Sequence, residues 1–216
     1  MDNQILCGDF KELVKDIPDE SVDLVFSDPP YPKKFQHTYD YLADYCPRIM
    51  KDGASLITIA AHYSIPYIIK AFDGKLKYRW LLCMNQFDGP HARMAMGIEI
   101  TFKPLLWYVK RAYPQGRGFL RDGVKISGVD GQLKKHHKWE QDLDWAVYYI
   151  RKLTDEGDTV LDPYCGSGTV PIACALLNRR YIGIDIDQES IDETNRRLNN
   201  LDTEVSERRR VIIGIK

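Results

Sequence analysis

The chain has 216 residues, with 44% apolar and 28% charged residues and a formal net charge of −1. That is the length of a single domain, 1–216, with enough core material for a globular fold, and it excludes a mainly disordered or collagen-like chain. The longest apolar stretch, Leu56 to Ile69, is interrupted by Thr58, His62, Ser64 and Pro66, far short of the roughly 18 to 20 clean apolar residues of a membrane span. The start Met1-Asp2-Asn3-Gln4 lacks the basic and apolar regions of a secretion signal. Cys7, Cys46, Cys83, Cys165 and Cys174 contain no C-x-x-C pair, so they read as reduced thiols of a cytoplasmic protein without a metal site or membrane role.

In chain order, Gln4 to Cys7 and Val22 to Phe26 are short apolar runs, closed by Gly8-Asp9 and by Ser27-Asp28-Pro29-Pro30-Tyr31. Leu42, Tyr45 and Ile49 recur at helical spacing, with Gly53 as the stop signal. Ser55 to Ala60 predicts a buried strand, Ser64 to Phe72 a helix starting near Pro66, and Arg79 to Met84 and Ile98 to Val109 further strands, the last broken by Pro104. Lys110 to Trp139 has five glycines and no sustained period, which predicts a loop. Leu143, Ala146, Val147, Ile150 and Leu153 form one apolar helix face closed by Gly157. Thr159 to Leu161 predicts a strand, Val170 to Leu177 a helix, Tyr181 to Ile186 a strand, Ile191, Thr194 and Leu198 a last helix, and Val211-Ile212-Ile213 an edge strand. Strands alternating with helices predict an α/β fold with a mostly parallel sheet.

Charge is unevenly placed. Residues 103–139 hold nine basic residues (Lys103, Lys110, Arg111, Arg117, Arg121, Lys125, Lys134, Lys135 and Lys138) against two acidic ones, a strip able to contact phosphate or an ordinary solvated loop.

Two sites carry chemistry. In Val160-Leu161-Asp162-Pro163-Tyr164-Cys165-Gly166-Ser167-Gly168-Thr169 a strand ends in a glycine turn that leads into a helix, where a ligand can approach the backbone. Asp185, at the end of the next strand, is placed to accept the hydroxyls of a ribose. The turn lacks the longer G-x-G-x-x-G phosphate fingerprint, and Asp162 beside it would repel a pyrophosphate, so a cationic or zwitterionic nucleoside fits better. In Asp28-Pro29-Pro30-Tyr31 the prolines fix the backbone and remove two donors, leaving an acid, a carbonyl and a ring that suit a planar amino group.

Together these motifs resemble the S-adenosylmethionine-dependent amino-methyltransferases that act on DNA bases. Asp28 to Tyr31 is similar to their motif IV, Asp162 to Thr169 to motif I and Leu6-Cys7-Gly8-Asp9 to motif III, in the circularly permuted order of the β class. The resemblance extends through Glu99 to Lys110 and Leu143 to Leu198. It implies a three-layer Rossmann-like α/β fold with a seven-stranded, mostly parallel sheet whose last hairpin strand is antiparallel. It also implies S-adenosylmethionine as cofactor and DNA as partner, with dimerisation, common in the class, enlarging the footprint.

On this resemblance Asp162, Pro163, Tyr164, Cys165, Gly166, Ser167, Gly168 and Thr169 surround the cofactor. Asp185 and Ile186 meet its ribose, and Asp9 its adenine amine. Tyr164 stands where the family usually has Phe. Asp28 and the Pro29 carbonyl, in the rigid Pro29-Pro30 turn, accept the target's amine hydrogens, while Tyr31 stacks on a flipped base. Asp at the first position usually goes with adenine N6 and Ser with cytosine N4.

Two departures stand out. His136-His137-Lys138-Trp139 replaces a His-Pro-x-x-Lys-Pro-like segment, with His137 and Lys138 meeting the cofactor's carboxylate and Trp139 packing beside it. The target-recognition region is short, and Lys110, Arg111, Arg117, Arg121 and Lys125, with Tyr113, Phe119 and a second group at Lys33, Lys34, Gln36 and His37, are its DNA contacts. Cytosine-N4 transfer, RNA adenine methylation and a non-catalytic nucleic-acid-binding module are the competing readings. A protein glutamine methyltransferase is disfavoured, since its Asn-Pro-Pro-Tyr follows the cofactor turn.

Overall fold

The computed structural model describes residues 2–85, 92–114, 116, 118–125 and 143–201. Ten strands and six α-helices alternate along them: β1 (Gln4–Cys7), α1 (Phe10–Leu13), β2 (Val22–Ser27), α2 (His37–Ile49), β3 (Met50–Ile59), α3 (Ile65–Phe72), β4 (Lys77–Asn85), β5 (Ala92–Met94), β6 (Ile98–Ile100), β7 (Phe102–Val109), β8 (Gly123–Lys125), α4 (Leu143–Leu153), β9 (Thr159–Asp162), α5 (Thr169–Leu176), β10 (Arg180–Asp185) and α6 (Gln188–Asn199). The main sheet has the order β1-β10-β9-β2-β3-β7-β4-β8, and β5 pairs with β6 in a separate ribbon. Among the described residues no helix is long and apolar enough to cross a membrane.

Strands β1, β10, β9, β2 and β3 run parallel. Their central members carry near-continuous buried apolar runs, as a sheet covered on both faces requires. Successive side chains alternate between the two cores. Val25, Leu56, Leu161 and Ile182 join α1, α2 and α3 on one face, whereas Leu24, Phe26, Ile57 and Val160 join α4 and α5 on the other. The result is the expected three-layer α/β architecture. From β2 the chain winds outward through α2 to β3, and from β9 it winds the opposite way through α5 to β10. The point of reversal lies between β2 and β9, and open α/β sheets bind ligands beyond the strand ends there.

The structure corrects five local expectations. The main sheet has eight strands where seven are expected, because Gly123–Lys125, inside the predicted loop, pairs parallel with Cys83–Asn85. Its one antiparallel member, β7, lies inside the sheet between β3 and β4. Gly53 does not end α2, since the chain passes straight into β3 at Met50. Gly53 instead adopts φ +81° where β3 shifts register against β2, and a Cβ there would stand 3.1 Å from Pro114 Cγ and 3.2 Å from the Ala112 carbonyl. The run Ile98 to Val109 divides into β6 and β7, and Pro104 is accommodated within β7. It pairs with Cys83, whose N–H is directed away to the Asp122 carbonyl, and its own carbonyl accepts from Ala60 just past the end of β3. The missing N–H therefore falls where the ladder is ending. Val211-Ile212-Ile213 lies outside the described residues.

Candidate active site

Each of four neighbouring parallel strands delivers an acid at or just past its carboxyl end: Asp9 after β1, Asp185 on β10, Asp162 on β9 and Asp28 after β2. The register aligns them, with Cys7 opposite Asp185, Gly183 opposite Asp162 and Leu161 opposite Val25. Three strand spacings of about 4.8 Å make this a row about 14 Å long, matched to an extended ligand bearing hydroxyls and positive charge. Asp28 and Asp162, far apart in the chain, become neighbours through the pairing of β2 with β9.

The 162–169 turn is built from both sides. Cys165 N–H donates to the Ile184 carbonyl at 2.9 Å and Gly166 N–H to Asp185 Oδ2 at 2.8 Å. From α6, Thr194 Oγ1 donates to the Gly166 carbonyl at 2.8 Å and Arg197 Nη1 to the Ser167 carbonyl at 2.6 Å. The two glycines have different reasons. Gly166 (φ +49°) faces open space, leaving the backbone approachable, whereas Gly168 (φ +87°) is pressed against Thr194, whose Cγ2 would lie 2.6 Å from an added Cβ. Asp185 also takes the Asp187 N–H on Oδ1 at 3.0 Å. Its carboxylate is thereby fixed, and each oxygen keeps acceptor capacity for a hydroxyl.

Asp162 is 4% exposed and accepts the Tyr164 N–H at 3.2 Å. Burial holds its pKa well above the ordinary carboxylate range, with Asp28 and Asp185 adding to the rise and the Tyr164 N–H opposing it. Pro163 and Cys165 are buried and Ile186 exposed. Tyr164 is half-buried, its ring 6.1 Å edge-on to Phe10, so its added hydroxyl leaves the ring packed. The buried thiols of Cys165 and Cys174 are pushed up by burial, which removes them as nucleophiles at neutral pH.

At the other turn Pro29 is buried, Pro30 exposed, and Asp28 and Tyr31 half-buried. Burial and then the Asp28 charge push the Tyr31 and Tyr39 phenols up, so both stay protonated beside the carboxylate. Tyr63, from the turn before α3, donates its hydroxyl to the Tyr31 carbonyl, and Lys103 Nζ stands 5.7 Å from the Tyr31 ring centroid.

A single cleft of about 200 Å³ joins the two turns. Asp28 and Ser27 line it from one side, and Asp162, Tyr164, Cys165, Gly166, Ser167 and Thr169 from the other, with Phe26, Trp145, Val170 and Ser190 completing the wall. Sequence reading missed Trp145. It falls outside the apolar stripe read for that helix, yet α4 buries Trp145 and Tyr149 as well, and only its packing on Phe26, ring centroids 5.4 Å apart, brings it to the cleft.

The expected DNA contacts separate into groups. Lys33 and Lys34 are exposed shortly after the Asp28–Tyr31 turn, and Lys33 Nζ lies 5.6 Å over the Tyr63 ring. Lys110 and Arg111 do not join them. Because β7 is antiparallel, its end lies at the opposite end of the sheet's strands, where Lys110 Nζ reaches Glu20 (3.1 Å) and the Met50 carbonyl (2.8 Å) and Arg111 pairs with Asp52. These two cations are occupied in holding the loop to β3. Arg121 is exposed at the entry to β8, Phe119 is 99% exposed, and Tyr113 packs edge-on to Trp107. Arg117, His136, His137, Lys138, Trp139 and the side chain of Lys125 lie outside the described residues.

Comparison with known proteins agrees with this geometry. A family model described as DNA methylase, of the N6/N4 type, matches residues 115–196. The DNA adenine methyltransferase YhdJ of Escherichia coli (strain K12) is 26% identical over 90% of this chain and 82% of its own length. The M1.HpyAVI–SAM complex is similar in structure, with a TM-score of 0.74 and 25% identity over 91% of this chain and 98% of that one. In sequence and in fold the chain is similar to the N6/N4 amino-methyltransferases. The fold is also shared by the PvuII DNA methyltransferase (cytosine-N4-specific), at a TM-score of 0.77 and 19% identity over 100% of this chain and 94% of that one. The chain spans 53% to 82% of the lengths of the first curated relatives it matches.

Proposed function

We propose that this chain transfers a methyl group from S-adenosylmethionine to the exocyclic N6 amine of adenine in DNA, the base having left the duplex. The observation that carries the reading is the single cleft shared by Asp28 and the Asp162–Thr169 turn, because donor and acceptor must meet within one bond-forming distance. The residues present fit the cofactor: Asp185 for the ribose, Asp9 for the adenine amine, and Asp162 beside positive charge. When bound, it supplies an activated methyl group on a sulfonium.

The chain's own contribution lies in the other turn. An exocyclic amine conjugated with its ring is a poor nucleophile. Asp28 and the Pro29 carbonyl accept its hydrogens and raise lone-pair density on nitrogen, and Asp28 takes the proton the amine gives up. Asp28 at the first position of the motif, with the adenine specificity named for YhdJ, favours adenine over cytosine. Incubating DNA oligonucleotides with protein and cofactor, then digesting them for mass spectrometry, is expected to yield N6-methyladenine. N4-methylcytosine would transfer the reading to the other base, and a preference for RNA over DNA oligonucleotides would change the substrate. Cofactor binding with no methylated product would reduce the chain to a binding module.

A pH dependence follows from Asp162. Its raised pKa means that the empty site takes up a proton more readily than an ordinary carboxylate does. A cation beside it favours the ionised form, so binding releases that proton. Cofactor affinity is expected to rise with pH through the range where Asp162 titrates and then level off. Calorimetry in buffers of different ionisation enthalpy will register the released proton, and a buffer-independent heat would remove Asp162 from this role.

A further inference from the structure

Two polar atoms in the cleft wall are buried and have no hydrogen-bond partner among the described residues: Ser27 Oγ and Trp145 Nε1. Their residues are 1% and 2% exposed. Buried donors are nearly always satisfied, because leaving one unmade costs its full desolvation. The indole N–H can only donate, so its partner must be an acceptor. Both residues line the cleft, and a ligand there can supply that partner.

The rest of the wall narrows the choice of acceptor. Among the described residues that line it, the carboxylates are Asp28 and Asp162, and none is a Lys, Arg or His. An amino-acid ligand would direct its ammonium toward those acids, and the donors that these residues offer its carboxylate are neutral ones. Trp145 supplies one on the side formed by α4 and α5. Thr169 and Val170, at the amino end of α5, also line the cleft there, and the helix end favours negative charge. Gly168 N–H is already spent on the Cys165 carbonyl.

We propose that the Trp145 indole N–H binds the carboxylate at the methionyl end of S-adenosylmethionine. This rests on the cofactor reading above and assigns the recognition of that carboxylate to a tryptophan that the sequence motifs do not include. Trp145 is a binding residue here, and its packing on Phe26 fixes the direction of the N–H.

The test compares two ligands by calorimetry on the full chain: S-adenosylmethionine and its decarboxylated analogue, which keeps the sulfonium, ribose and amine. Trp145→Phe retains an aromatic ring and removes the donor. Losing a hydrogen bond to a charged group is expected to weaken S-adenosylmethionine about tenfold to a hundredfold, while the analogue changes by less than about twofold. Replacing Trp145 with 3-benzothienylalanine, which keeps the bicyclic shape without the N–H, should reproduce the split even if the phenylalanine variant folds poorly. Equal weakening of both ligands in both variants would make Trp145 purely structural, and no weakening of either would mean that its N–H is satisfied elsewhere; each result overturns the proposal. If the unaltered chain bound neither ligand, the cofactor reading itself would fall, and this one with it.

Discussion

Asp28→Ala is expected to lower methyl transfer by about 10³-fold or more while cofactor affinity stays within about threefold. The split follows from position. Asp28 stands after β2 at the cleft, and the carboxylates assigned to the cofactor stand just after β1 and at the ends of β9 and β10. Alanine removes the acceptor for the amine hydrogens and leaves the 162–169 turn, with its anchors in β10 and α6, intact. The substitution has a second signature. The Asp28 charge is one of the causes that raise the Asp162 pKa, so removing it should move the pH midpoint of cofactor binding downward. Single-turnover rates with labelled cofactor, read beside calorimetric affinity across pH, measure both effects. A variant with near-normal turnover would end the proposed role of Asp28.

Gly168→Ala is expected to destabilise the fold by about 2–5 kcal/mol and to remove cofactor binding. Two costs combine. At φ +87° an L-residue is strained by roughly 1–2 kcal/mol. The new methyl would also stand 2.6 Å and 2.7 Å from Thr194 Cγ2 and Oγ1, an overpacking that costs typically about 1–3 kcal/mol. Thr194 is fully buried and holds the Gly166 carbonyl, so it cannot swing aside without releasing the turn. Adding Thr194→Ala to Gly168→Ala should recover part of the loss, since two of the three close atoms disappear. Gly166→Ala, with nothing within 4 Å of the added carbon, should pay only the strain of its positive φ, about 1–2 kcal/mol. Urea denaturation of the four proteins measures the ranking, and equal losses for the two glycine variants would refute the packing argument.

Much of the fold was legible because the signals are local. Buried parallel strands announce themselves as apolar runs, and β2, β9 and β10 begin or end within a residue or two of the expected places. The helix from Leu143 to Leu153 has the expected ends because its period is strong. What failed depended on neighbours. Gly53 reads as a helix stop in one dimension but is a kink in β3 in three, and Pro104 reads as a breaker until the ends of its partner strands are known. β8 is too short and too rich in turn residues to show a period, and it exists through its pairing with β4.

The site divides in the same way. By itself the sequence determined its chemistry: an Asp-Pro-Pro-Tyr turn, a glycine turn with an acid at its head, and a second acid one strand later, each a contiguous motif whose backbone geometry its own residues dictate. The tertiary structure decided which residues share a cleft. Pairing β2 with β9 brings Asp28 to Asp162, and packing Trp145 on Phe26 adds a wall residue that belongs to no motif. Running β7 antiparallel carries Lys110 and Arg111 to the far end of the strands, where Glu20 and Asp52 pair with them. Strand order and direction are set by long-range burial and hydrogen bonding, summed over many residues, and no short window of sequence contains them.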